Sequence, residues 1–161
     1  MKKIFCVIIL VIIGIYQSKA QSLVGVWQRD TNCVLGKHLD TYCFFSDGTF
    51  CFNSDENNSL SRILSIGGSY IIVKNQIVFH VKYTIERSDG ILVRDTLATQ
   101  CGSWSIKGGV IKKMMLRKTI VEKADLDRTV NSKSGKCLLI DMRKYFKISN
   151  NPDINYKSGT K

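Results

Sequence analysis

The sequence has few of the residues from which active sites and metal centres are usually built. It has two histidines, His38 and His80, and no Cys-x-x-Cys pair among its six cysteines. A structural zinc site is poorly supported, because such sites use closely spaced Cys and His ligands. The acidic residues are scattered without a pair that we can place across one cleft, and neither histidine sits in a nucleophile-and-base arrangement. We therefore expect no enzymatic activity, no cofactor and no metal.

Long apolar runs are also lacking. The one clear run, residues 4–15, follows Lys2 and Lys3 and is too short to cross a bilayer as an ordinary helix. The polar stretch after it ends in Ser18-Lys19-Ala20, with small residues at the two positions that a signal peptidase reads. The sequence thus predicts a signal peptide over residues 1–20 and a soluble exported protein, periplasmic or secreted, that starts at Gln21. An uncleaved anchor is the alternative.

Charge is distributed unevenly along the chain. The formal net charge is +11, and removal of the three signal-peptide lysines leaves +8. Residues 21–106 carry 7 basic and 8 acidic side chains, whereas residues 107–161 carry 14 basic and 5 acidic ones. A basic half can bind an anionic glycan or envelope surface, or it can simply be a solvated face. No nucleic-acid motif is present, and we expect no nucleic-acid partner.

Strand signals dominate the exported part. Proline occurs once, at residue 152, and turn signals recur about every ten residues, which favours a sandwich or barrel. Apolar residues alternate with mostly polar ones over residues 77–87, as in a half-buried antiparallel strand. About eight strands are predicted over residues 23–29, 39–45, 49–53, 69–74, 77–87, 91–100, 102–106 and 110–121, enough to close a small all-β, up-and-down barrel. Residues 54–65 are predicted to form a loop at the mouth of this barrel.

The C-terminal part reads less clearly. Residues 137–148 fit a strand or a helix, and the spacing of their apolar side chains favours a short helix packed on the barrel. Residues 149–161 are predicted to form a flexible tail. One domain over residues 21–148 is expected, with this extension at its C-terminal end.

An aromatic hairpin gives the most detailed local prediction. If Ser46-Asp47-Gly48 is a three-residue loop, glycine takes the left-handed position, and Cys43 faces Cys51 across the two strands. A cross-strand disulfide is then geometrically allowed. A two-residue loop would shift the register and separate the two cysteines. The exported chain has an odd number of cysteines, so at least one thiol is free or joined to another chain.

Three sequence features in this order resemble a known family. Gly25-x-Trp27 lies on the first strand, Asp47-Gly48-Thr49-Phe50 at the hairpin, and Gly68-Ser69-Tyr70 on a later strand. Over residues 23–121 the chain resembles the lipocalin-like small barrels exported by bacteria of the Bacteroides type. The resemblance implies that Trp27 closes the barrel floor and that a basic residue of a late strand stacks on it. Arg117 is the candidate for that partner.

Two binding hypotheses follow. In the first, the barrel binds a small apolar or amphipathic molecule in its mouth, with candidate lining residues Phe44, Phe50, Tyr70, Phe79, Val81, Tyr83 and Trp104. In the alternative, these side chains form a solid core, and the basic half docks an anionic partner through candidates Lys107, Lys112, Lys113 and Lys118. Charge on both faces of residues 110–121 indicates a strand at a barrel edge or one that reaches beyond the core. A hydrolase that uses His38 or His80 is the least favoured hypothesis.

Overall fold

The fold is described from a computed structural model, over residues 23–29, 39–55, 60–95, 103–125 and 136–154. The predicted signal peptide, His38 and the proposed end of the tail lie outside these ranges. Among the described residues, no helix is long and apolar enough to cross a membrane.

Ten strands and one short 3-10 helix make up the described chain. The strands are β1 (Gly25–Arg29), β2 (Thr41–Phe44), β3 (Thr49–Asn53), β4 (Ile63–Val73), β5 (Gln76–Ser88), β6 (Ile91–Asp95), β7 (Ser103–Lys107), β8 (Val110–Asp125), β9 (Cys137–Ile140) and β10 (Arg143–Ser149). The 3-10 helix, Pro152–Ile154, follows β10.

Eight of these strands form a closed antiparallel barrel. Going around it, β1 is followed by β2, β3, β4, β5, β8, β9 and β10, and β10 pairs with β1 again. The prediction of an all-β, up-and-down barrel of eight strands is confirmed. Its membership differs from the sequence-based count, because β6 and β7 pair only with each other in a separate two-stranded sheet. The loop predicted over residues 54–65 is also shorter, since β4 begins at Ile63.

The C-terminal extension completes the barrel. The predicted helix over residues 137–148 is wrong, because β9 and β10 form a hairpin there in which Ile140 pairs with Arg143. Asp141 and Met142 link them, both with positive φ (46° and 61°), as a two-residue hairpin turn requires. Beyond β10, the expected tail begins with the 3-10 helix, which contacts β2.

The aromatic hairpin has the predicted register. Phe44 pairs with Phe50, Cys43 with Cys51, and Gly48 takes a φ of 79°. The Asp47 carboxylate accepts hydrogen bonds from the Thr49 amide (2.9 Å) and hydroxyl (2.6 Å), which fixes the turn and lowers the pKa of Asp47. Phe44 and Phe50 therefore face the barrel interior, and the two cysteines face outward.

Candidate interaction surfaces

The barrel interior is filled by aromatic rings. Phe79 has ring neighbours at centroid distances of 5.7 Å (Tyr42), 6.2 Å (Phe44) and 4.6 Å (Phe50). Five of the predicted lining residues belong to this buried cluster, namely Phe44, Phe50, Tyr70, Phe79 and Val81. Neighbouring rings at these distances are in contact, so these five side chains pack against one another as a core.

The other two lining candidates lie outside the barrel interior. Tyr83 is half-buried on the outer wall, where its ring covers Gly67. The ammonium group of Lys113 lies 4.1 Å from the centroid of that ring. Trp104 is on β7, away from the barrel sheet, and 48% of its surface is exposed. The seven predicted lining residues therefore lie in three separate places: the barrel core, the outer wall and β7.

Trp27 lies inward at one end of the barrel, and its cationic neighbour is Lys147 of β10. The indole N–H donates a 2.7 Å hydrogen bond to the carbonyl oxygen of Leu23, and the Lys147 Nζ atom is 5.4 Å from the ring centroid. Burial lowers the pKa of Lys147, and the charge of Lys136 lowers it further. The predicted partner, Arg117, is instead exposed on β8. Lys147 could not be singled out from a segment interpreted as a helix.

Cys43 and Cys51 are cross-strand neighbours without a bond between them. Both are buried free thiols, so the predicted disulfide is wrong for this structure although its register is right. The Cys51 Sγ atom instead lies 3.2 Å from the Ser65 hydroxyl. Burial raises the pKa of Cys43 to about 12 and also raises that of Cys51, which keeps both thiols protonated at neutral pH. Cys33 and Cys101 lie outside the described residues.

A cleft of about 340 Å³ opens on the outer wall beside the 3-10 helix. Its lining combines aromatic and small side chains with one cation and one carboxylate: Phe45, Thr49, Phe50, Cys51, Gly68, Lys82, Tyr83 and Asp153. This volume is at the lower end of the range for small-molecule sites. Phe50 and Tyr83 are the only two predicted ligand residues that line it.

Polar groups gather near the opposite end of β1. Arg29 donates to the Asp40 carboxylate at 2.9 Å, and the other oxygen of Asp40 accepts from the Asp55 amide at 2.9 Å. Glu122 of β8 is half-buried, and burial raises its pKa. Burial likewise raises the pKa of Tyr145. The Asp40 contacts join β1 to the segment after β3, which is a structural role.

A longer surface runs along one end of β5 and β8 to the β6–β7 hairpin, and its residues 83–86 still pair with β4. We define the arm as residues 83–95 and 103–118, which comprise the ends of β5 and β8 and the β6–β7 hairpin. It carries seven basic and three acidic side chains, a net charge of +4. The four predicted anion-binding lysines all lie on the arm and are exposed: Lys107, Lys112, Lys113 and Lys118. Charge on both faces of residues 110–121 predicted a strand at a barrel edge or one that reaches beyond the core, and among the described strands β8 pairs only with β5 from Val110 to Lys123.

Along most of its length, one edge of β8 pairs with no strand in the described part of the chain. Its residues pair with β5 from Val110 to Lys123, but on the other edge only Ala124 and Asp125 pair with a described strand, β9. Lysines on such an edge discourage pairing with a second copy of the chain. That role explains the cations on β8 but does not explain the apolar residues beside them.

Exposed apolar side chains occur along the arm, and of these only Trp104 was among the predicted site residues. Met115 is 76% exposed and Ile91 is 73% exposed. Further large apolar residues with exposed surfaces are Leu92, Trp104, Val110, Ile111, Met114 and Leu116. The signal in the sequence is a set of apolar runs at residues 91–93, 110–111 and 114–116, of which the last two lie on either side of Lys112 and Lys113. Several large apolar side chains exposed on neighbouring strands indicate an interaction site more strongly than single exposed residues do.

Comparisons with known proteins assign no family. The chain matches no protein-family model, no curated protein and no solved structure.

Proposed function

We propose that this protein is an exported, lipocalin-like barrel without catalytic activity whose solid core supports an arm that docks an anionic partner. The observation that carries the proposal is the arm itself, where a net charge of +4 and eight exposed apolar side chains occur together. The packed rings around Phe79 favour this function over a ligand pocket inside the barrel.

Retention on immobilised heparin, eluted with a salt gradient, tests the proposal. A protein with this net charge is retained through charge alone, so two variants with equal charge change are needed. Lys112→Gln with Lys118→Gln neutralises two cations of the arm, and Lys123→Gln with Lys144→Gln neutralises two exposed cations elsewhere. We expect the arm variant to elute at clearly lower salt than the control variant. Equal shifts would show that retention reflects net charge and would contradict the proposal.

The outer cleft supports a second candidate function, binding of a small amphipathic molecule. Its 340 Å³ volume, its aromatic lining and the placement of Lys82 and Asp153 at its wall are the observations in favour. Native mass spectrometry of the exported protein should then show a co-purified mass that is lost in Tyr83→Ser. An unmodified mass for the natural protein would count against this candidate.

A further inference from the structure

We infer that the arm binds the surface of a lipid bilayer that contains anionic headgroups, with its apolar side chains inserted at the interface. This inference depends on the proposed function, because it names the chemistry of the anionic partner. It uses the same surface and adds one requirement, that the partner be apolar as well as anionic.

The exposed apolar residues of the arm lie on two sheets, the β6–β7 sheet and the β8 end of the barrel sheet, and they face both sides of each. Consecutive residues of a strand point to opposite faces, so each of the pairs Ile91–Leu92 and Met114–Met115 exposes one side chain on each face. Val110 and Ile111 do the same. A flat protein surface or a glycan chain that contacts one face of either sheet would leave the apolar side chains of its other face exposed. The interfacial zone of a bilayer surrounds the end of a sheet that enters it and can contact both faces.

The charges of the arm fit the same partner. Lys112 and Lys113 are also consecutive and lie between the two apolar pairs of β8, so both faces carry a cation next to apolar side chains. The ammonium group of a long lysine side chain can reach anionic headgroups while its methylene groups lie deeper, next to apolar side chains. A second copy of the chain is the less suitable occupant, because it would bring cations opposite cations.

Insertion is limited to the interfacial depth. The open edge of β8 presents backbone N–H and C=O groups that cannot lose water in the hydrocarbon region without a partner. Side chains can enter the headgroup zone while this edge stays hydrated. Trp104, half exposed on β7, belongs to the residue type enriched at that depth.

Tryptophan fluorescence provides a local test, because the chain has only two tryptophans. Trp27 is buried in the barrel, whereas Trp104 is half exposed on the arm. The probe is the full-length exported protein titrated with vesicles of phosphatidylglycerol and phosphatidylcholine in equal amounts, and with vesicles of phosphatidylcholine alone. We expect a blue shift of the emission with the anionic vesicles only. The shift should persist in Trp27→Phe and disappear in Trp104→Phe.

Matched variants separate the electrostatic contribution to vesicle binding from the apolar contribution. Lys112→Gln with Lys118→Gln should lower the partition coefficient about thirtyfold, given the usual contribution of each cation near an anionic membrane. Lys123→Gln with Lys144→Gln should lower it by less than about threefold. Ile91→Thr with Met115→Thr should weaken binding and reduce the blue shift, whereas Ile71→Thr with Val121→Thr, exposed apolar residues of the barrel wall, should not.

The outcomes distinguish this inference from the proposed function. Vesicle binding without a blue shift would show attachment by charge alone and would overturn the insertion. Arm-dependent retention on heparin without vesicle binding would overturn the lipid inference and leave the proposed function, with a glycan or acidic protein as partner. Equal effects of both lysine variants in both assays would overturn the inference and the proposed function together.

Discussion

Removing the ring of Phe79 tests whether the barrel interior is a solid core. Phe79 is 3% exposed and contacts the rings of Tyr42, Phe44 and Phe50. Phe79→Ala should lower the free energy of unfolding by about 3–5 kcal/mol, because the apolar transfer energy is lost and a cavity remains. This is a large fraction of the stability of a typical domain. Phe79→Leu keeps most of the volume and should cost about 1.5 kcal/mol.

Equilibrium unfolding in urea, followed by circular dichroism, measures both variants against the natural protein. A loss below about 1 kcal/mol for Phe79→Ala would refute the reasoning, because a ring that lines an existing cavity can be removed at small cost. Such a result would revive the hypothesis of a ligand in the barrel. A large loss for Phe79→Ala with a small one for Phe79→Leu would support a packed interior.

Three further predictions concern single sites. Gly68→Ala should cost about 1–3 kcal/mol in urea unfolding, because the new Cβ atom would clash with the backbone carbonyl of His80; an unchanged midpoint would contradict this packing. Trp27→Phe should cost about 1–3 kcal/mol in the same assay, since the buried Leu23 carbonyl loses its donor, and an unaffected midpoint would mean that water replaces the indole. Glu122→Gln should raise the melting temperature at pH 7 more than at pH 4. Burial raises the folded-state pKa of Glu122 above its ordinary value. The contribution of Glu122 to stability therefore falls as the pH rises from the ordinary pKa through the raised pKa. Equal effects of the substitution at the two pH values would contradict this.

The β2–β3 hairpin could be predicted down to its residue pairs because its signals are local. Asp47 and Gly48 supply the turn chemistry, and the alternation of aromatic residues with cysteines fixes the register. Whether Cys43 and Cys51 form a disulfide depends on their side-chain rotamers. The contact of Cys51 with Ser65, which lies on another strand, could not be read from the hairpin alone.

The β9–β10 hairpin was not predicted because its turn carries only part of the usual signal, Asp141 at the first position. Two-residue turns with positive φ at both positions usually contain Gly, Asn or Asp, but here Met142 takes the second position. The turn also shifts the phase of the alternation between Leu138 and Tyr145, and the apolar spacing then resembles that of a helix. Lys147 of β10 could not be predicted as the cationic neighbour of Trp27 for the same reason, because only the correct strand pairing brings it beside that ring.

Because β9 and β10 close the barrel, the β6–β7 hairpin takes no part in its closure. Ser88 of β5 and Val110 of β8 are direct register partners, so a two-residue turn could join these strands and leave the barrel order unchanged. The chain instead continues from β5 into β6 and β7, which pair with each other and with no described strand of the barrel. Exposed apolar side chains in a segment that the barrel does not need for closure add an aggregation risk without a matching gain in core packing. Their presence is therefore better explained by contact with a partner than by the stability of the fold.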